Sequence, residues 1–225
     1  MTTIAQNLNQ VRQRIASACA QVQRNPQDVM LLAVSKTFPA EAVRTAYAAG
    51  QIAFGENYIQ EAVQKIHAVR DLPLEWHCIG PIQSNKSRLV AENFAWVHTI
   101  DRLKIAQRLS EQRPTILPPL QVCIQVNLDG GANKSGVMPQ DVLALAQAIQ
   151  QLPRLQLRGL MSIPEPAAED AMLRVHRQLK VLFDALNENG LGLDTLSMGM
   201  SADLEPAIIA GSTMVRVGSA VFGQR

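Results

Sequence analysis

The stretch Val29-Met30-Leu31-Leu32-Ala33-Val34-Ser35-Lys36-Thr37-Phe38-Pro39 decides the fold. Its six apolar residues read as a strand covered on both faces, the habit of parallel sheets. A helical pattern follows from Ala40 to Ala49, closed by Gly50 where helices favour a left-handed C-cap. This unit then recurs along the chain. Further strand candidates are Ile52 to Phe54, Leu74 to Ile79, Ala95 to Ile100, Leu120 to Leu128, Leu155 to Ile163, Thr195 to Met200 and Thr213 to Val217. Helical patterns alternate with them near Ile59 to Val69, Lys86 to Asn93, Leu103 to Gln112, Gln140 to Gln150, Ala168 to Asn189 and Asp203 to Ala210. Such alternation means a parallel sheet covered by helices.

Two architectures satisfy that pattern, an open doubly wound sheet and a closed barrel. An open sheet more often carries a glycine-rich fingerprint after its first strand. Here Ser35-Lys36-Thr37-Phe38-Pro39 holds no glycine, and about eight strand-helix units are present. The expectation is therefore a (β/α)8 TIM-type barrel. An extra amphipathic helix within residues 1–25 precedes it, with Ile4, Leu8, Val11, Ile15, Ala18 and Val22 on one stripe. No low-complexity linker divides the chain, so residues 1–225 read as one domain, and Pro114 to Pro119 as a loop.

Composition narrows the function. Hydrophobic residues make up 47% of 225 and charged ones 18%, enough for a sizeable core. Twenty-one basic against 19 acidic residues leave +2, which argues against nucleic-acid binding through phosphate attraction. Aromatics at 4% are too few for a base-stacking platform. Cys19, Cys78 and Cys123 are odd in number and scattered, so neither a disulfide framework nor a zinc site is expected. The histidines lack metal-ligand spacing. No stretch reads as a signal peptide or a membrane span, and the chain is expected to be a cytoplasmic monomer.

In a parallel barrel the strand C-termini form the functional rim. The polar residues there are Lys36, Glu56, Asn57, His77, His98, Asp101, Asn127, Ser162, Ser197, Ser201 and Arg216. Lys36 stands directly after an apolar strand. Burial would make its amine a nucleophile toward carbonyls; the alternative is a lysine that reaches past the strand end to solvent. Ser197-Met198-Gly199-Met200-Ser201-Ala202-Asp203 leads from strand seven into a helix, and Arg216-Val217-Gly218-Ser219 ends strand eight. Small residues at helix starts expose backbone N–H groups, and barrels commonly bind phosphate after strands seven and eight. Equally, Ser201 and Ser219 fit as N-caps. Arg216 sits among Met214, Val215 and Val217, so it needs a partner. That partner is either a carboxylate such as Asp203 or Glu205, or a ligand. Gly80 to Lys86 lacks P-loop spacing and reads as a loop with Ser84 as an N-cap. Asn127 to Gly136 reads as a mobile lid or an ordinary surface loop.

Several stretches carry a resemblance. They are Ala33-Val34-Ser35-Lys36-Thr37, Phe54-Gly55-Glu56-Asn57-Tyr58, Trp76-His77-Cys78-Ile79-Gly80, Gln83-Ser84-Asn85-Lys86, Val126-Asn127, Lys134-Ser135-Gly136, and Leu196 through Gly211 continuing from Thr213 to Gly223. In order and over nearly the whole chain, they resemble the pyridoxal phosphate homeostasis protein family. These are single-domain relatives of the alanine racemase barrel, also called the proline synthase co-transcribed family. The resemblance implies an aldimine between Lys36 and pyridoxal 5′-phosphate, with Ser201, Gly218 and Ser219 on the phosphate. It also implies Arg216 at the pyridine nitrogen, with Asn57 and His77 beside the cofactor. Relatives often carry a glutamate a few residues before the Lys-x-Gly, where this chain has Gly130-Gly131-Ala132-Asn133.

An arginine keeps its own proton, so it leaves the ring a weaker electron sink than a carboxylate partner would. That suits racemisation more than transamination. Racemases of this fold take a second base from an additional C-terminal β-domain, for which a chain ending at Arg225 leaves no room. The expectation is a protein of vitamin B6 and amino- and keto-acid homeostasis, without enzymatic turnover. The alternative is a racemase or aldolase-type enzyme. Whether the family role is carrier or sensor stays open at this point, and apo-enzymes or regulatory proteins are the expected protein partners.

Overall fold

The computed structural model describes residues 3–130 and 135–223. Expectations resting on Met1, on Gly131 to Asn133, on Lys134 or on Arg225 lie outside the described residues.

Eight parallel strands close into a barrel in chain order. They are β1 (Met30–Val34), β2 (Ala53–Glu56), β3 (Glu75–Cys78), β4 (Trp96–Ile100), β5 (Leu120–Gln125), β6 (Leu155–Met161), β7 (Thr195–Ser197) and β8 (Met214–Val217). Closure is made by β1 on β8, in a register running from Met30 opposite Met214 to Ala33 opposite Val217. That pairing rules out the open sheet. Between the strands run α2 (Ala40–Ala48), α3 (Ile59–Ala68), α4 (Ser87–Asn93), α5 (Leu103–Gln112), α6 (Val142–Gln150), α7 (Glu169–Glu188) and α8 (Leu204–Ile209). A four-residue helix, α9 (Ser219–Phe222), follows β8 and is too short to show as a periodic pattern. Gly50 takes φ 82° just past α2, as its position predicted. No helix among the described residues is long and apolar enough to cross a membrane.

The preceding helix α1 (Ile4–Gln21) starts on a capping box, in which Thr3 and Gln6 exchange side-chain and backbone bonds. Its buried stripe of Leu8, Val11, Ile15, Ala18 and Cys19 packs outside the barrel against α8 and α9. Three polar anchors fix it there. Arg14 grips Glu205 with two bonds of 2.7 and 2.8 Å and donates to the Ser201 carbonyl at 3.0 Å. Arg24 donates to the carbonyls of Ile208 and Ser212, and Asn7 to that of Val221. The extra helix thus fastens both segments that follow β7 and β8.

Several strands end before their apolar runs do. β7 stops at Ser197 because Gly199 turns the chain at φ 93°, where a Cβ would also stand 2.5 Å from Ala207 Cβ. β5 stops at Gln125; Val126 beyond it donates its N–H to the Met161 carbonyl and makes an isolated bridge to Val137. Ser84 is not a helix cap: it opens a short 3-10 turn, and its carbonyl accepts from Ser87 Oγ and Arg108 Nε.

Inside the barrel, Leu32, Val34, Ala53, Ile79 and Met214 form one apolar cluster, and Trp96, Cys123 and Met161 another. His77, His98, Ser197 and Arg216, all buried, form a column of polar contacts in the same interior.

Candidate functional site

β1 delivers Lys36 to the rim through a turn clamped from behind. Ser35 donates its N–H to the Gly55 carbonyl and its hydroxyl to Glu56 Oε1 at 2.6 Å. Lys65 of α3 donates both to the Ser35 carbonyl at 2.7 Å and to Glu56 Oε1 at 2.6 Å. Both side chains of that ion pair are buried, and Glu56 Oε2 has no partner. Burial pushes the Glu56 carboxyl above its ordinary range, and Lys65 and Ser35 pull it partly back. Thr37, next to Lys36, holds φ 65° and donates its N–H to Glu61 at 2.8 Å. A β-branched residue in that region costs about 1–3 kcal/mol, so the surrounding clamp over-determines the turn.

Asn57 follows the end of β2. The loop after β3 lies so close that a Cβ on Gly80 would stand 2.2 Å from the Asn57 carbonyl oxygen, so only glycine fits there. The Asn57 side-chain Oδ1 is buried without a partner.

Lys36, Asn57, Ser201, Arg216, Gly218 and Ser219 all line one cleft of about 750 Å³ at the strand C-termini. Apolar walls come from Val34, Phe38, Ile79 and Ile163. Ser201 and Ser219 bring their hydroxyls 3.4 Å apart. Neither serine caps a helix, because Asp203 and Gly218 hold the cap positions of α8 and α9. Gly218 lets this corner close on β1, where an added Cβ would meet the Val34 carbonyl oxygen at 3.3 Å.

Arg216 does not pair with Asp203 or Glu205. Its Nη1 donates to the Ser197 carbonyl at 2.6 Å and to Ser197 Oγ at 2.8 Å, and its Nη2 donates to the Ser162 carbonyl at 2.8 Å. The expected carboxylates are engaged elsewhere, Asp203 with His176 of α7 at 2.8 Å and Glu205 with Arg14. Burial drives the Asp203 carboxyl up, but the bonds from His176 and the Met200 N–H outweigh it and hold it low. Burial lowers the Arg216 pKa to about 10, which leaves the guanidinium charged at neutral pH. It enters the cleft as a donor whose acceptors on the protein side are all neutral.

His77 is the candidate that does not open on the cleft. It pairs with Gly55 in the sheet, two residues below Asn57, and its side chain is fully buried. Its Nδ1 meets His98 Nε2 at 2.9 Å and its Nε2 meets Glu75 Oε1 at 2.9 Å. Asn127 borders a neighbouring hollow with Ser162, while Asp101 bonds Arg102 at the surface. Lys65 and Arg14 escaped the sequence reading. The signal for Lys65 is its place on the apolar face of α3, three residues after Ala62 and six after Ile59.

The chain matches the family model for the alanine racemase N-terminal domain over residues 2–225. It is 60% identical over 225 residues to a pyridoxal phosphate homeostasis protein of Pseudomonas aeruginosa, covering 100% of this chain and 97% of that one. It is 55% identical over 229 residues to the protein of that name from Escherichia coli K12, covering 100% and 98%. Among solved structures it is similar to PipY of Synechococcus elongatus with PLP bound. That likeness has TM-score 0.82 at 39% identity, over 93% of this chain and 100% of that one.

Proposed function

The chain belongs to the alanine racemase N-terminal domain family, among its pyridoxal phosphate homeostasis proteins, and from this we infer a cofactor-binding role. Its cleft binds pyridoxal 5′-phosphate, and the protein serves vitamin B6 and amino- and keto-acid balance without turning over a substrate. The observation that carries this reading is the convergence on one cleft of an amine, a guanidinium and a pair of hydroxyls. The group fits the donors present. A hydroxyl pair beside a glycine suits a phosphate, and the orphaned Asn57 Oδ1 is a polar atom on the same wall awaiting a partner.

When bound, pyridoxal phosphate supplies an aldehyde that a primary amine captures and an electron-withdrawing ring. Lys36 presents the amine. Ser201, Ser219 and the backbone at Gly218 hold the phosphate, and Asn57 lies beside the ring. Arg216, charged and gripped by neutral acceptors, donates to the ring nitrogen and keeps its own proton. A ring left without that proton is a weaker electron sink than a carboxylate partner would make it. His77 has no direct contact in this assignment. Apo-enzymes that need the cofactor are the recipients this role calls for.

Borohydride treatment of the loaded protein should fix the cofactor's mass on the peptide holding Lys36, and Lys36→Ala should abolish that adduct. An unchanged adduct in the variant refutes the assignment. A racemase or aldolase would instead exchange Cα protons of some amino acid rapidly in deuterated water; slow exchange across a panel is expected here.

A further inference from the structure

A chain of hydrogen bonds leads from the cleft through the barrel to its opposite mouth. Arg216 Nη1 meets Ser197 Oγ at 2.8 Å, and Ser197 Oγ meets His98 Nδ1 at 2.8 Å. His98 Nε2 meets His77 Nδ1 at 2.9 Å, and His77 Nε2 meets Glu75 Oε1 at 2.9 Å. Glu75 opens β3 at the N-terminal end of the barrel, and its side chain is 38% exposed. The three residues between are buried. His77 also stacks on Trp96 with ring centroids 5.3 Å apart, which fixes its plane.

With both imidazoles neutral, the state their burial favours, the two ends fix the direction of every bond. A guanidinium only donates and a carboxylate only accepts. Ser197 Oγ therefore accepts from Arg216 and sends its own hydrogen to His98 Nδ1. His98 then carries its proton on Nε2 and gives it to His77 Nδ1, and His77 carries its proton on Nε2 and gives it to Glu75. Both imidazoles are neutral in this arrangement. Burial lowers both of their pKa values, and for His98 the charge of Arg216 adds to it. Bonds aligned head to tail polarise one another, so the row behaves as a unit.

We propose that Ser197, His98, His77 and Glu75 are positioning residues for Arg216, a one-way relay that links the far mouth of the barrel to the cofactor's ring nitrogen. The proposal rests on the cofactor reading above and assigns residues that do not touch the cofactor. The two carbonyls on Arg216 hold its place without the relay. What the relay adds is polarisation: it draws the Ser197 hydroxyl away from Arg216 and presents only the oxygen to Nη1. Neutralising Glu75 should weaken that pull and alter how the guanidinium donates into the cleft.

The test uses full-length protein loaded with pyridoxal phosphate, read by absorption spectrum and by cofactor titration. Glu75→Gln keeps the shape of the mouth, and Ser197→Ala cuts the relay next to Arg216. Glu75→Gln is expected to shift the bound cofactor's absorption maximum and to change its dissociation constant at least about threefold, the scale of coupling within one network. In the Ser197→Ala background the same Glu75→Gln change should move neither readout. His98→Gln, which offers one acceptor and one donor, should retain more of the parent spectrum than His98→Phe. If the parent takes up no cofactor, the binding reading itself fails. If the parent binds and Glu75→Gln has no effect, or the same effect with and without Ser197, the relay is overturned. A merely structural Glu75 would lower stability without a spectral change that depends on Ser197.

Discussion

Ser201 Oγ and Ser219 Oγ stand 3.4 Å apart although 18 residues separate them in the chain. The barrel makes this contact by placing β7 beside β8, so the segments leaving both strands meet at one corner. Arg14 holds the first segment by the Ser201 carbonyl, and Asn7 holds the second through Val221. A helix outside the barrel therefore sets the geometry of a hydroxyl pair inside its rim.

Removing one of those hydroxyls should affect binding and leave folding nearly untouched. Ser201→Ala is expected to weaken pyridoxal phosphate affinity roughly tenfold or more, since hydrogen bonds to charged groups are worth about 1.5–3 kcal/mol. Because Ser201 caps no helix, stability should change by less than the ~1 kcal/mol of a lost cap. Fluorescence titration beside urea unfolding checks both halves. Pyridoxal, which lacks the phosphate, should bind the parent far more weakly; equal binding would move the phosphate site elsewhere.

Behind Lys36, the buried Lys65–Glu56 pair offers a sharper stability test. Lys65→Met leaves the Glu56 carboxylate buried and unpaired, and should destabilise the fold by about 3–5 kcal/mol. Adding Glu56→Gln to that variant should recover much of the loss, because the orphaned charge is gone. Denaturant unfolding of the parent and the two variants decides it; a recovery near zero would mean that the lysine acts through its bond to the Ser35 carbonyl.

The pH dependence of stability should carry the mark of the two barrel histidines. His77 and His98 are held below their ordinary value of 6.5 chiefly by burial, so below about pH 6.5 the unfolded chain takes up protons that the fold refuses. Their contribution is complete above 6.5 and falls with pH, by up to about 1.4 kcal/mol per unit for each group. Glu56 works oppositely, since a raised carboxyl gains stability as pH falls, and Asp203 and Glu75, both held low, matter only below about 4.5. The comparison is accordingly between the parent and His98→Gln at each pH from 7.5 to 5. The variant's curve should be the flatter one, and parallel curves would sink the assignment of neutral rings.

Gly80→Ala tests the seat of Asn57. A methyl group there would lie 2.2 Å from the Asn57 carbonyl oxygen, so backbone must move. A cost of about 1–3 kcal/mol is expected, together with weaker cofactor binding from a displaced Asn57. Unchanged melting and binding would show that the loop has slack the contact denies.

The repeated apolar strands, the glycine-free exit of the first strand and the count of strand-helix units were enough to call for the barrel, because a parallel strand buried on both faces writes itself as an apolar run. Of the polar positions read at the ends of those runs, Lys36, Asn57, Ser201 and Arg216 line the cleft, joined by Gly218 and Ser219. The sequence could not tell depth. Alternation assigns a residue to the inside or outside of a strand, but the register between strands sets its height, and opposite Gly55 His77 falls a layer below Asn57. Nor could it choose the acceptors of Arg216, which come from β7 and from Ser162 just past β6, or reveal that Lys65 reaches from a helix to brace the turn before Lys36. Those contacts join residues tens of positions apart, and only closure of β1 on β8 with the tilt and register of the strands between them brings such side chains within hydrogen-bonding distance.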